Sequence, residues 1–144
     1  MDQKSKVYIY HTAVKWTEQR KGVISCEGKP DVEVATPPEF KGHEGIWSPE
    51  DLFVASANIC LMTTFLAVAE RAGLAFSAYE SAAEGRLELV EGKFQFTTIT
   101  IRPSITLKSG EDAGKAKELI EKAERNCLIS NSMKAAVIVE PVIH

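Results

Sequence analysis

No Cys-x-x-Cys pair occurs in this chain of 144 residues, and its three cysteines, Cys26, Cys60 and Cys127, lie far apart. An odd, small number of cysteines in a reducing compartment argues against a disulfide scaffold. The three histidines, His11, His43 and His144, have no metal-ligand spacing among them, which argues against a structural zinc site. A net charge of −3 with no block of basic residues leaves out the electrostatic footprint of a nucleic-acid partner. The glycine-rich phosphate loops in their usual forms are missing, so no cofactor is expected. The opening residues, MDQKSKVYIYHTAVKW, lack the apolar core and the small-residue cleavage site of a secretory signal. The expected location is the cytoplasm.

What remains is the make-up of a soluble globular protein. Apolar residues are 44% and charged residues 26% of the chain, and its length suits one domain, residues 1–144, with a sizeable core. The longest apolar stretch is SPEDLFVASANICLMTTFLAVAERAG, residues 48–73. From Leu52 to Ala69 only Ser56, Asn58, Thr63 and Thr64 are polar. That run is short of the roughly 20 apolar residues a membrane span needs, and Glu70 and Arg71 follow at once. It is therefore expected to be a core helix of a soluble fold, with no membrane partner.

The rest of the pattern is α+β. Residues 6–16 and 22–36 read as strands, rich in β-branched and aromatic residues, and PPEFKGHEGIW, residues 37–47, as a loop. Ser48 as N-cap, Pro49 at the first helical position and Asp51 in an approximate capping box predict where the apolar helix starts; Gly73 predicts where it stops. Residues 79–90 and 94–107 read as strands joined at EGK. The apolar face of the second changes phase between Phe94/Phe96 and Ile99/Ile101/Ile105, which predicts a bulge or bend. A second helix is predicted from Ser109 to about Asn126, with Ala116, Leu119, Ile120 and Ala123 on its apolar face. Residues 135–143 make a last strand that Pro141 places at an edge or beyond the ladder. The order β-β-β-α-β-β-α-β is not the alternation of a doubly wound fold.

A thiol at the centre of an apolar helix calls for a reason. Ser56, Thr63 and Thr64 lie three or four positions from Cys60, so it falls on the one mildly polar stripe of its helix. Cys127 continues the apolar face of the second helix and should point inward. Buried cysteine commonly acts only as a small hydrophobe, and Cys26 keeps that reading.

SPEDLFVASANICLMTTFLAVAERAGL resembles the central helix of the OsmC/Ohr family, in which a Pro-Glu pair opens the helix and a cysteine follows the glutamate by ten residues; Glu50 and Cys60 have that spacing. AERNCLISNSMKAAVIVEPVI resembles the family's second cysteine motif, with Leu128 where proline is usual, and GHEGIWSPEDL resembles its glycine-containing approach to Pro-Glu. The resemblance runs nearly end to end. It implies an OsmC-like fold: an intertwined homodimer with β-sheets wrapped around long central helices. It also implies thiol-dependent reduction of organic hydroperoxides, in which Cys60 attacks the peroxide and Cys127 resolves the product as a disulfide. A dithiol or lipoyl-type reductant would close the cycle.

A mid-helix thiol borrows little from the helix dipole, and apolar burial raises its pKa, so a cation must help. In the family an arginine oriented by the glutamate does so. Here Arg20, in TEQRKG, stands either as that cation or as a solvated turn residue, with Lys41 as the fallback. Glu50 lies about 15 Å along the helix from Cys60, and is either part of that device or only an N-terminal charge. The alternative to a peroxidase is a dimer that binds a hydrophobic ligand or senses redox state with little turnover.

Overall fold

The computed structural model describes residues 6–144. They form two compact units divided after Leu52.

The first unit is a three-stranded antiparallel sheet, β1 (Ala13–Glu18), β2 (Lys21–Ser25) and β3 (Val32–Ala35), in the order β1-β2-β3. The strand expected over residues 6–16 begins only at Ala13, because Ala13 pairs with Ser25 and β2 supplies no partner beyond that point. Residues 22–36 hold two of the three strands expected before the first helix, divided by a turn in which Lys29 N–H donates to the Cys26 carbonyl. All six residues of β1 are exposed. A single helical turn, Pro38–Phe40, lies in the predicted loop, and Trp47 then bridges to Val34.

Ser48 and Asp51 form the predicted capping box in full. Asp51 N–H donates to Ser48 Oγ at 3.0 Å, while Asp51 Oδ2 accepts from Ser48 N–H at 3.0 Å and from its hydroxyl at 2.9 Å. Orphan donors at the helix start are thereby satisfied. The helix, α1 (Pro49–Ala72), runs 24 residues and into the second unit.

The second unit is built on a long hairpin, β4 (Phe76–Val90) and β5 (Lys93–Leu107). Glu91 and Gly92 both have positive φ, the signature of the tight turn whose twist matches the strands. The phase change read from the sequence is a bulge: Arg86 pairs with Thr98 and Leu87 with Phe96, leaving Thr97 as the extra residue. α2 (Ala113–Asn126) starts at Asp112, whose side chain accepts from Gly114 N–H at 2.8 Å. The cap is not Ser109, because the chain turns through Gly110 at φ 87° before the helix begins. A one-turn helix, α3 (Leu128–Asn131), follows. Two short strands then pair parallel to β5: β6 (Ala136–Val139) and β7 (Val142–Ile143). Pro141, with no N–H to donate, divides them.

The core joins Ala57, Leu61, Phe65, Val68 and Ala69 of α1 to Ile99, Ile101 and Ile105 of β5 and to Ala116, Ile120 and Ala123 of α2. Phe65 packs against the rings of Phe76 and Tyr79, each centroid 5.5 Å away. Each large side chain buried this way contributes about 1.5–3 kcal/mol. α1 is long and apolar enough to cross a membrane by length and composition alone, and 33% of its most apolar window is buried. The sequence suggested a helix buried all round. Instead one face is buried and the other is open, with Phe53, Ile59 and Leu66 exposed.

Candidate active site

Cys60 sits in the middle of α1, partly open to solvent, and Cys127 is fully buried at the end of α2. Three independent pieces of local structure bring them together. α1 presents Cys60 beside the face that packs on the sheet. α2, through Ala116, Ile120 and Ala123, sets its last turn against the same core. Cys127 then leaves the helix with φ −70° and ψ 111°, which turns the chain into α3. The two thiols end as neighbours, close enough for each to act on the other's ionisation.

Of the polar residues predicted around Cys60, only Thr64 approaches the sulfur, with its hydroxyl 3.9 Å away. Ser56 donates to the Phe53 carbonyl at 2.7 Å and Thr63 to the Cys60 carbonyl at 3.1 Å, so both hydroxyls are spent on their own helix. Donors that the sequence did not reveal come from the turn after Cys127. Partial burial pushes the Cys60 thiol up, but the backbone amides of Ile129 and Leu128, the Cys127 thiol and the Thr64 hydroxyl together hold it below its ordinary value. Hydrogen bonds to the charged form are the cause. A one-turn helix start offers such amides because its first N–H groups have no internal partner.

Cys127 goes the other way. Burial pushes its thiol up, the Ser130 hydroxyl and amide counter part of that, and the neighbouring Cys60 adds to it. Ser130 Oγ donates to Cys127 Sγ at 3.2 Å. The pair is therefore divided into a thiolate-prone, accessible sulfur and a protonated, buried one. That division suits a nucleophile and a resolving thiol.

The first unit holds the other two sequence-predicted residues. Arg20 is exposed, and its guanidinium donates to the Phe40 carbonyl at 3.1 Å. It lines a groove of about 460 Å³ with Val14, Trp16, Val34 and Pro49, the residue that precedes Glu50. Glu50 Oε1 is buried and has no hydrogen-bond partner among the described residues. The ion pairs among the described residues do not join Arg20 to Glu50. Lys41, the fallback, ends the turn Pro38–Phe40 with φ 64°. Among the described residues, no group of three or more His, Cys, Asp or Glu side chains is placed to hold a metal.

Residues 42–142 match the family model described as OsmC-like protein. The chain is 29% identical over 132 residues to YmaD of Bacillus subtilis (strain 168), an uncharacterized protein, with 89% of this chain and 88% of that one covered. It is 26% identical over 101 residues to the peroxiredoxin OsmC of Escherichia coli (strain K12), covering 70% and 69%. Among solved structures, an OsmC-like protein of unknown function from Vibrio cholerae superposes with a TM-score of 0.87 at 22% identity, over 94% of this chain and 100% of that one. An organic hydroperoxide resistance protein from Elizabethkingia anophelis does so with 0.76 at 23%, over 96% and 97%. These structural likenesses establish the fold.

Proposed function

The chain belongs to the OsmC-like family, and from that premise we propose that it is a cysteine-based peroxidase for organic hydroperoxides, acting as a single 1–144 domain within a homodimer. The observation that carries the reading is the meeting of Cys60 and Cys127, with donors outweighing burial at Cys60 and burial outweighing them at Cys127. The Cys60 thiolate attacks the distal peroxide oxygen, the O–O bond breaks, and the alkoxide takes a proton and leaves as an alcohol. Cys60 is left as a sulfenic acid. The Cys127 thiol then displaces its hydroxyl, releasing water and forming the Cys60–Cys127 disulfide. A dithiol, of lipoyl type by family resemblance, returns both thiols. Two of the similar proteins, a peroxiredoxin and an organic hydroperoxide resistance protein, have names that agree with this chemistry. Peptide mapping after treatment with an organic hydroperoxide should recover the Cys60–Cys127 disulfide. A bridge through Cys26, or no bridge, would return the chain to the ligand-binding or redox-sensing reading.

The activating groups are proposed in two tiers. Amides of residues 128 and 129 act on Cys60 directly. Arg20 and Glu50 act as the cation and its orienting carboxylate, the unpartnered Glu50 Oε1 being left for a guanidinium. One titration separates them. Thiolate absorbance in a Cys26→Ser background should show Cys60 ionising below an ordinary thiol, so that peroxide consumption rises with pH through that ionisation and then levels. Below it the thiol form dominates and the rate is lost. Leu128→Pro removes one donor without straining the turn, since proline suits the first helical position and Cys127 already has the extended ψ that a following proline demands. It should raise the Cys60 ionisation and slow peroxide reduction at neutral pH about fivefold, the worth of one hydrogen bond. Arg20→Ala should slow it about 10²-fold. A rate indifferent to Arg20 would leave the amides as the activators and remove Arg20 from the site.

The homodimer is supported by the open apolar face of α1, the fully exposed β1 and the exposed run Val7, Tyr8, Ile9 and Tyr10. Exposed apolar surface on this scale marks an interface. Light scattering should find twice the chain mass of 15.8 kDa; a stable folded monomer would refute it.

A further inference from the structure

Opening the Cys60–Cys127 disulfide is a problem of access and charge. Cys127 is fully buried, so an external thiol meets only Cys60. The buried sulfur must then leave with the electron pair, in a place where burial disfavours a thiolate. We propose that Ser130 is the positioning residue for Cys127: its hydroxyl orients the sulfur for disulfide formation and receives it as the leaving thiolate when the disulfide is reduced. The inference deepens the peroxidase reading and rests on it.

The geometry is specific. Cys127 occupies the N-cap of α3 and Ser130 lies three residues on, the spacing at which an N-cap side chain meets the third helical residue. Ser130 Oγ donates to Cys127 Sγ at 3.2 Å. Asn131 N–H donates to the Cys127 carbonyl at 3.0 Å and closes the turn that keeps the two side chains together. The titratable groups facing Cys127 are Cys60 from α1 and Tyr79 from β4. Neither supplies positive charge, and Cys60 disfavours a second thiolate beside it. Ser130 is the side chain whose hydroxyl already donates to the departing sulfur. The turn thus divides its donors, with the amides of 128 and 129 on Cys60 and the hydroxyl and amide of 130 on Cys127.

The reduction balances as follows. A thiolate of the dithiol reductant bonds to Cys60 Sγ, the Cys60–Cys127 bond breaks, and its electron pair stays on Cys127, held by the Ser130 O–H. The proton lost from the reductant is taken up by Cys127. The second reductant thiolate displaces Cys60 from the mixed disulfide, giving an oxidised reductant and two protein thiols.

The test has two arms. In a Cys26→Ser/Cys60→Ser protein, the Cβ chemical shift of carbon-13-labelled Cys127 is followed against pH. Ser130→Ala should move its titration to higher pH, and Ser130→Thr, which keeps the hydroxyl, should restore it. In the protein with both reactive cysteines, Ser130→Ala should slow reduction of the preformed disulfide by dithiothreitol about tenfold, because a leaving thiol of higher pKa departs more slowly. Ser130→Thr should recover most of that rate. A Cys127 titration unmoved by Ser130→Ala, or a disulfide opened as fast as in the parent, would overturn the proposal. If the parent forms no Cys60–Cys127 disulfide, the peroxidase reading fails by itself. The titration, made without Cys60, still decides whether Ser130 governs Cys127.

Discussion

Replacing Cys60 by serine is expected to lower organic hydroperoxide consumption by about 10³-fold or more, to the rate of the uncatalysed reaction. In the proposed mechanism the Cys60 thiolate is the attacking group, and a serine hydroxyl is neither ionised near neutral pH nor comparably nucleophilic toward oxygen. Losses of at least this size accompany removal of the nucleophile elsewhere. Cys127→Ser should behave differently. Each chain should reduce one peroxide and stop, with a sulfenic acid on Cys60 that dimedone traps. The contrast follows from the two environments: donors converge on Cys60, while burial keeps Cys127 a thiol. Steady consumption by Cys60→Ser, measured with an organic hydroperoxide and a dithiol, would sink the assignment. So would a dimedone adduct on Cys26.

Gly42→Ala is expected to destabilise the protein by about 3 kcal/mol or more. A Cβ at Gly42 would stand 1.7 Å from the Thr36 carbonyl oxygen and 2.2 Å from its carbon. Both are backbone atoms, so no side chain can swing aside. Two hydrogen bonds would have to give way with them: Gly42 N–H to the Pro37 carbonyl at 3.0 Å, and His43 N–H to the Thr36 carbonyl at 2.9 Å. This loop carries the chain to Trp47, bridged to β3, and to the Ser48–Asp51 cap that starts α1 and places Glu50. Denaturant unfolding should show the loss. A variant within about 0.5 kcal/mol of the parent would mean that the close approach is relieved at little cost.

The glycine in GHEGIW was visible in the sequence as part of a family-like approach to Pro-Glu, but its reason was not. A non-local steric constraint leaves only a residue type behind. The same holds for Leu128. Its departure from the usual proline could be read directly, whereas the amide it contributes to Cys60 depends on where a one-turn helix ends up in space. The misplaced cap at Ser109 is a smaller case. Ser109 and Asp112 both have capping chemistry, and only the positive φ of Gly110 decides between them.

Local information determined a great deal. The capping box at Ser48 and Asp51, the bulge between the two halves of β5, the break at Pro141 and the apolar face of α2 each follow from residues within a few positions of one another. Short-range sterics and hydrogen bonds act over that distance. Which two cysteines to watch came from the resemblance to a family, carried by the motifs around Cys60 and Cys127. Tertiary structure alone decided that they meet, that α1 has one buried face and one open one, and that Cys60 owes its lowered pKa to donors from the turn beyond Cys127. Those facts arise from packing between elements far apart in the chain. A sulfur's ionisation is set by whatever groups surround it, not by the residues next to it in sequence.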